Sequence, residues 1–331
     1  MVAVALTIFY GCQKDELVLT DEQPQAVVKP DVYLENGYLA FKNMEAVDSV
    51  ITMLSRMTDE EKERWENNIG LKSARAEYQR LYAEYDKLLS EDELLAFKDK
   101  YKSLLKFEGE SPADWSLDYP YSTKYFIPIL NSDGIYKIGK SVIKYTMNDQ
   151  IIILDGDLEK LRKIDEYAND KMVVHMSNLK SSGTNRQYLD QFEDDNLDPN
   201  AYDRWSYNIE RSRRLRNHLI WDNYYYDDGA NINSGWKLLF FQKGEKKVLG
   251  FWKEYKTVYG TQDIYVKVGS FPSYWINHFV AVYTPEVLNS TIECAADHQV
   301  GTTALFNYNP TIVFSAKTYS QGLGVWYTID H

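Results

Sequence analysis

Apolar residues recur at three- and four-residue spacing between Leu39 and Leu105, the period of a helix packed on one side. Val47, Val50, Ile51, Leu54 and Met57 make a first stripe. Trp65 and Ile69 make a second. Tyr78, Leu81, Tyr82, Tyr85, Leu88 and Leu89 make a third, and Leu94, Phe97, Tyr101, Leu104 and Leu105 a fourth. Thr58 with Glu61 and Ser90 with Glu93 are spaced as capping boxes, so helices start after Thr58 and Ser90. Gly70 is a suitable C-terminal stop. The segment 39–108 is therefore expected to form helical hairpins, each stripe buried against a partner.

From Pro112 the period changes. Tyr125 to Leu130 is strand-like and is followed by the turn Asn131-Ser132-Asp133-Gly134. Ile135 to Ile138, Ser141 to Thr146 and Ile151 to Leu154 read as a small meander. Asp155-Gly156-Asp157 is placed to cap a helix over 158–168. Ser181 to Asp203 is polar and acidic, a long loop. Beyond Tyr207 the strand candidates are Glu210 to Ile220, Trp236 to Lys243, Val248 to Tyr255, Asp263 to Val268, His278 to Tyr283, Thr302 to Tyr308, Thr311 to Ala316 and Gly324 to Ile329. Gly, Asn and Pro separate them at short intervals, which favours a sandwich or barrel over alternating β-α units. The fold class expected is α+β: N-terminal helical hairpins packed on a large antiparallel β body, sandwich or barrel-like, over 109–331.

Composition narrows the function classes. Among 331 residues the net charge is −12, which argues against a nucleic-acid binder, since that needs a basic face. Tyrosine is abundant, 27 residues beside 8 Trp, which suits both pleated sheets and recognition surfaces. Of the two cysteines, Cys294 lies in an apolar-flanked stretch and reads as a small buried hydrophobe.

The N-terminus decides location. Val2 to Tyr10 is an apolar run shorter than the roughly 20 residues a spanning helix needs. It has the length of a secretory core region and meets Gly11 and then Cys12. This arrangement resembles a bacterial lipoprotein signal, and Cys12-Gln13-Lys14-Asp15-Glu16 resembles the export tag of surface lipoproteins of Bacteroidota-type bacteria. The hairpin carrying Tyr136-Lys137-Ile138-Gly139 and Lys144-Tyr145-Thr146 also looks like one found in uncharacterised lipoproteins of that lineage. The resemblance implies removal of the peptide before Cys12, lipidation of its sulfur, and display on the outer membrane facing the cell exterior. Each buried methylene of such a lipid contributes about 0.8 kcal/mol to anchoring. Residues 13–38, polar and carrying Pro24 and Pro30, then read as a tether.

Three groups of residues invite a chemical reading. Asp194, Asn196 and Asp198 offer alternating oxygens that a hard cation such as Ca²⁺ would accept. Pro199 and Trp205 stand where an EF-hand loop has its glycine and glutamate, so a solvated acidic loop is the plainer reading. Arg211, Arg213, Arg214 and Arg216 crowd one strand. Alternation puts Arg214 and Arg216 on the face opposite Arg211 and Arg213. They serve either as ion-pair partners for the surplus carboxylates or as a seat for an acidic sugar or sulfate. Trp205 and Trp221, with Tyr224, Tyr225 and Tyr226, would form a sugar platform if two or three rings stood exposed near carboxylates. The histidines are scattered without metal-ligand spacing, and no phosphate loop, dinucleotide fingerprint or nucleophile elbow occurs.

Together these observations point to a lipid-anchored surface protein, with membrane lipid as one partner through Cys12. It leans toward a non-enzymatic module that binds a glycan or a host protein. The alternatives are a glycoside hydrolase, whose two carboxylates no local pattern identifies, and an accessory subunit of an outer-membrane assembly.

Overall fold

Asn36 and Gly37 have φ of 51° and 83°, the pair of left-handed residues that a two-residue hairpin turn requires. They join β1 (Val32–Glu35) to β2 (Tyr38–Phe41), so ordered strands begin inside the stretch read as a tether, and Leu39 lies in a strand and not in a helix. The computed structural model describes residues 30–177, 203–207, 212–269, 274–279, 282–301, 311–321 and 326–330. Cys12, the acidic loop with Asp194, Asn196 and Asp198, and the strand expected at Thr302 to Tyr308 lie outside these residues.

Four helices follow: α1 (Met44–Ser55), α2 (Asp59–Ile69), α3 (Ala74–Tyr85) and α4 (Glu91–Tyr101). Their starts obey local chemistry. Asn43 caps α1 by accepting from the Ala46 N–H at 3.0 Å, and Thr58 and Ser90 form reciprocal capping boxes with Glu61 and Glu93. Gly70, at φ 74°, stops α2. Most of the apolar stripes are buried, Val47 and Leu54 on α1, Tyr78, Leu81 and Tyr85 on α3, Leu94 and Phe97 on α4; Trp65 and Ile69 on α2 are partly buried, and Leu89 and Leu104, which lie beyond the ends of α3 and α4, are exposed.

A two-strand hairpin, β3 (Lys106–Glu108) with β4 (Ser116–Asp118), comes next. Tyr125 to Leu130, expected as a strand, is instead a 3-10 turn at Ile127–Ile129. Pro128 removes a ladder donor, and Asp222 accepts from the Thr123 hydroxyl at 2.8 Å and from the Lys124 and Tyr125 amides at 3.1 Å, which curls the segment. The meander is β5 (Ile135–Ile138), β6 (Ser141–Tyr145) and β7 (Asp149–Ile153). After it, α5 (Leu158–Arg162) is shorter than the expected helix, and β8 (Val173–Ser177) closes the first sheet in the order β1-β2-β5-β6-β7-β8. Its β2–β5 pair is parallel, the crossover between them carrying all four helices.

The remaining strands are β9 (Asp203–Tyr207), β10 (Arg213–Asp227), β11 (Ile232–Val248), β12 (Phe251–Glu254), β13 (Thr257–Gly269), β14 (Tyr274–Phe279), β15 (Val282–Val287), β16 (Asn289–Val300), β17 (Thr311–Ser320) and β18 (Trp326–Asp330). They form two antiparallel five-stranded sheets, one centred on β10 and β11 and one on β13 and β17. No sheet closes into a barrel among the described residues. The run His278 to Tyr283 is divided between β14 and β15, and β16, too polar to stand out, emerges as a full strand beside β11. One core joins α1 and the first sheet to Ile220, Tyr224, Tyr226, Leu239 and Phe241 of β10 and β11. A second, aromatic core joins α3, α4 and the β3–β4 hairpin.

Candidate functional site

β11 reads Trp236-Lys237-Leu238-Leu239-Phe240-Phe241, a lysine inside an apolar run. Alternation puts Lys237 on the same face as Leu239 and Phe241, toward α1, and its side chain is only 4% exposed. A buried ammonium requires partners. Its Nζ donates to Asp48 Oδ2 at 2.9 Å and to Glu293 Oε2 at 2.8 Å, and sits 4.8 Å from the Tyr125 ring centroid. The Tyr125 hydroxyl donates to the other Asp48 oxygen at 2.6 Å. Burial first, and then the Asp48 and Glu293 charges, push the Tyr125 phenol above its ordinary range, so it stays a donor.

Glu293 reaches this place through an irregularity. The β11–β16 register shifts between Leu238, opposite Ala295, and Leu239, opposite Glu293, leaving Cys294 as the extra residue. Without that bulge Cys294 would occupy the Lys237 face and Glu293 the opposite one. With it, Glu293 joins Lys237 while Cys294 is buried, its thiol raised chiefly by desolvation.

Tyr224 and Tyr226 share the same face of β10. The Tyr224 hydroxyl donates to the Asp297 carbonyl at 3.1 Å and lies 3.0 Å from His298 Nδ1, with the two rings stacked. Gly235 stands opposite Tyr224 because a Cβ there would collide with the Tyr224 hydroxyl and the Asp297 carbonyl oxygen. The Tyr226 hydroxyl accepts from the Met44 amide at 3.4 Å, tying the start of α1 to the sheet.

Between α1 and these strands lies an open cleft of about 1120 Å³. One face of α1, with Glu45, Ser49, Thr52, Met53 and Arg56, forms a wall. That wall is the solvent side of the helix whose other side is core. Tyr224, Tyr226 and Lys237 contribute from the sheet, and Glu293, Asp297 and His298 from β16. The carboxylates of Asp48 and Glu293 are each 37% exposed above the buried ammonium.

The sequence-derived residues divide. Tyr224 and Tyr226 line the cleft, but both are 2% exposed, and Tyr225 is buried as well. Trp205 and Trp221 lie in β9 and β10, opposite Arg216 and Leu238. Arg214 and Arg216 are not in the cleft. Both are buried in an ionic layer, Arg214 with Glu245 at 2.6 Å and Arg216 with Glu108. Lys243 continues that layer, donating to Ser116 Oγ and pairing with Glu254, each at 2.9 Å. Asp48, Lys237 and Glu293 escaped the sequence reading. The legible signal is the single lysine inside the apolar run Trp236–Phe241, since a charge inside a buried strand implies a buried partner. Among the described residues no group of three or more His, Cys, Asp or Glu is placed to hold a metal, and no helix is long and apolar enough to cross a membrane.

No family model matches the chain, and no curated protein matches it. Among solved structures it is similar to that of a DUF4848 family protein from Bacteroides thetaiotaomicron, with 15% identity, a TM-score of 0.32, and coverage of 91% of this chain and 100% of that one.

Proposed function

We propose that this chain is a surface-displayed lipoprotein, held on the outer membrane through lipid on Cys12, and that its folded body is a non-enzymatic module binding a glycan or protein ligand in the cleft beside α1. The cleft itself carries the reading. It is larger than a typical small-molecule pocket, about 300–1,000 Å³, and it combines methionine and tyrosine side chains with carboxylates that keep some exposure. Asp48 and Glu293 each commit an oxygen to Lys237, an arrangement that supports ligand binding over acid–base chemistry.

The test is to present the full chain to a glycan array and to mucin, beside Ser49→Trp, which places an indole on the exposed α1 wall. The wild type is expected to bind and the variant to lose binding while keeping its thermal midpoint. Silence on both surfaces removes a glycan as the ligand. The anchor is tested by Cys12→Ala, which is expected to leave the outer-membrane fraction; retention there overturns it. One observation favours a hydrolase as the second reading: two carboxylates, Asp48 and Glu293, face one cleft. That reading predicts glycosidase activity lost in both Asp48→Asn and Glu293→Gln.

A further inference from the structure

The cleft has a charge and a texture that select among ligands. Five carboxylates line it, Glu45, Asp48, Glu61, Glu293 and Asp297, against two cations, Arg56 and Lys237. Lys237 is already engaged with two of the acids, so the remaining lining is acidic. Asp48 and Glu293 meet at Lys237, while Glu45 comes from α1, Glu61 from α2 and Asp297 from β16, and among the described residues none of them belongs to a group placed to hold a metal. Three methionines line the same space: Met53 is exposed, Met57 is partly buried and Met44 is buried. Methionine is unbranched and polarizable, and fits varied apolar side chains. The tyrosine rings that line the cleft are buried and carry little exposed face for stacking a sugar.

We infer that the occupant of this cleft is a cationic peptide segment, one that presents lysine or arginine beside apolar side chains. This rests on the cleft being a binding site as proposed above. Spread carboxylates suit charges distributed along an extended or helical segment, and the methionines suit its apolar positions. The net charge of −12 steers such a segment toward the protein and repels an acidic one.

The experiment is fluorescence anisotropy on the full chain with three labelled peptides: an amphipathic Lys/Leu peptide, its Glu/Leu counterpart and its Lys/Ser counterpart. The Lys/Leu peptide is expected to bind at least about tenfold more tightly than either control, and to weaken as salt rises. Glu45→Lys is expected to weaken it about fivefold, and Ser49→Trp to abolish it, both with an unchanged thermal midpoint. Equal binding of the Glu/Leu peptide overturns the inference, as does binding unaffected by Ser49→Trp. If a glycan binds and is lost in Ser49→Trp while the Lys/Leu peptide does not bind, the peptide inference fails and the cleft stands. If no peptide, glycan or mucin binds, both readings fail.

Discussion

Lys237 shows how much one side chain organises here. Its ammonium is almost fully buried, bridges Asp48 of α1 to Glu293 of β16, and rests over the Tyr125 ring. Removing one partner of a buried pair usually costs several kcal/mol, because the charges left behind are stranded. Here the two carboxylates keep 37% exposure and can be rehydrated, so the cost is smaller. Lys237→Met is expected to lower stability by about 2 kcal/mol in urea unfolding. Adding Asp48→Asn and Glu293→Gln is expected to recover more than half of that, since the loss comes from the stranded acids. If the triple variant is no more stable than the single one, the loss comes from packing around the lysine stem instead.

At the scale of elements, the β3–β4 hairpin is held to the β body by charge. Glu108 pairs with Arg216 and, at 2.7 Å, with Lys106, and Asp118 pairs with Lys124. Burial works to raise the Glu108 carboxyl, but Arg216, Lys106 and Lys124 outweigh it and hold it well below the usual carboxylate range. Asp118 is lowered in the same way, burial being opposed above all by Lys124. A carboxyl lowered in the folded state releases its proton earlier there than in the unfolded chain. Its contribution is therefore complete above the unfolded value of about 4.5 and is lost as pH falls below it. Glu108→Gln lacks this term. It is expected to be about 2 kcal/mol less stable than wild type at pH 7, with the gap narrowing steadily below pH ~4.5. A gap that stays constant through that range would rule out the ionic clamp.

At the scale of the molecule, residues 31–331 form one unit by contacts. The helical segment and the β body share a core and an ionic layer. In that layer Lys243 bonds the β3–β4 hairpin through Ser116 and pairs with Glu254, which in turn accepts from the Tyr78 hydroxyl of α3. Unfolding is therefore expected as one transition, with helical circular dichroism and tryptophan fluorescence superimposing. Lys243→Met, which strands buried carboxylates, is expected to shift both probes together by about 3 kcal/mol. Separate midpoints for the two probes would show that helices and sheets unfold independently.

Helix starts, helix stops and apolar stripes were legible from the chain because each is decided within four residues, as Thr58 with Glu61 and Ser90 with Glu93 demonstrate. Most strands beyond residue 210 were legible for a similar reason, since turn residues and apolar runs are local. The Asn36-Gly37 turn is equally local, although residues 13–38, polar and carrying Pro24 and Pro30, read as a tether. Tyr125 to Leu130 was not decidable, because a short apolar run fits a strand or a turn until Asp222, nearly a hundred residues away, takes up its amides. The sequence by itself thus determined the α+β character and the acidity. Only the tertiary structure decided the cleft. Asp48, Tyr125, Lys237 and Glu293 come from four separate regions, and a single bulge at Cys294 turns Glu293 toward the lysine. Long-range register, which no local pattern encodes, brings them together.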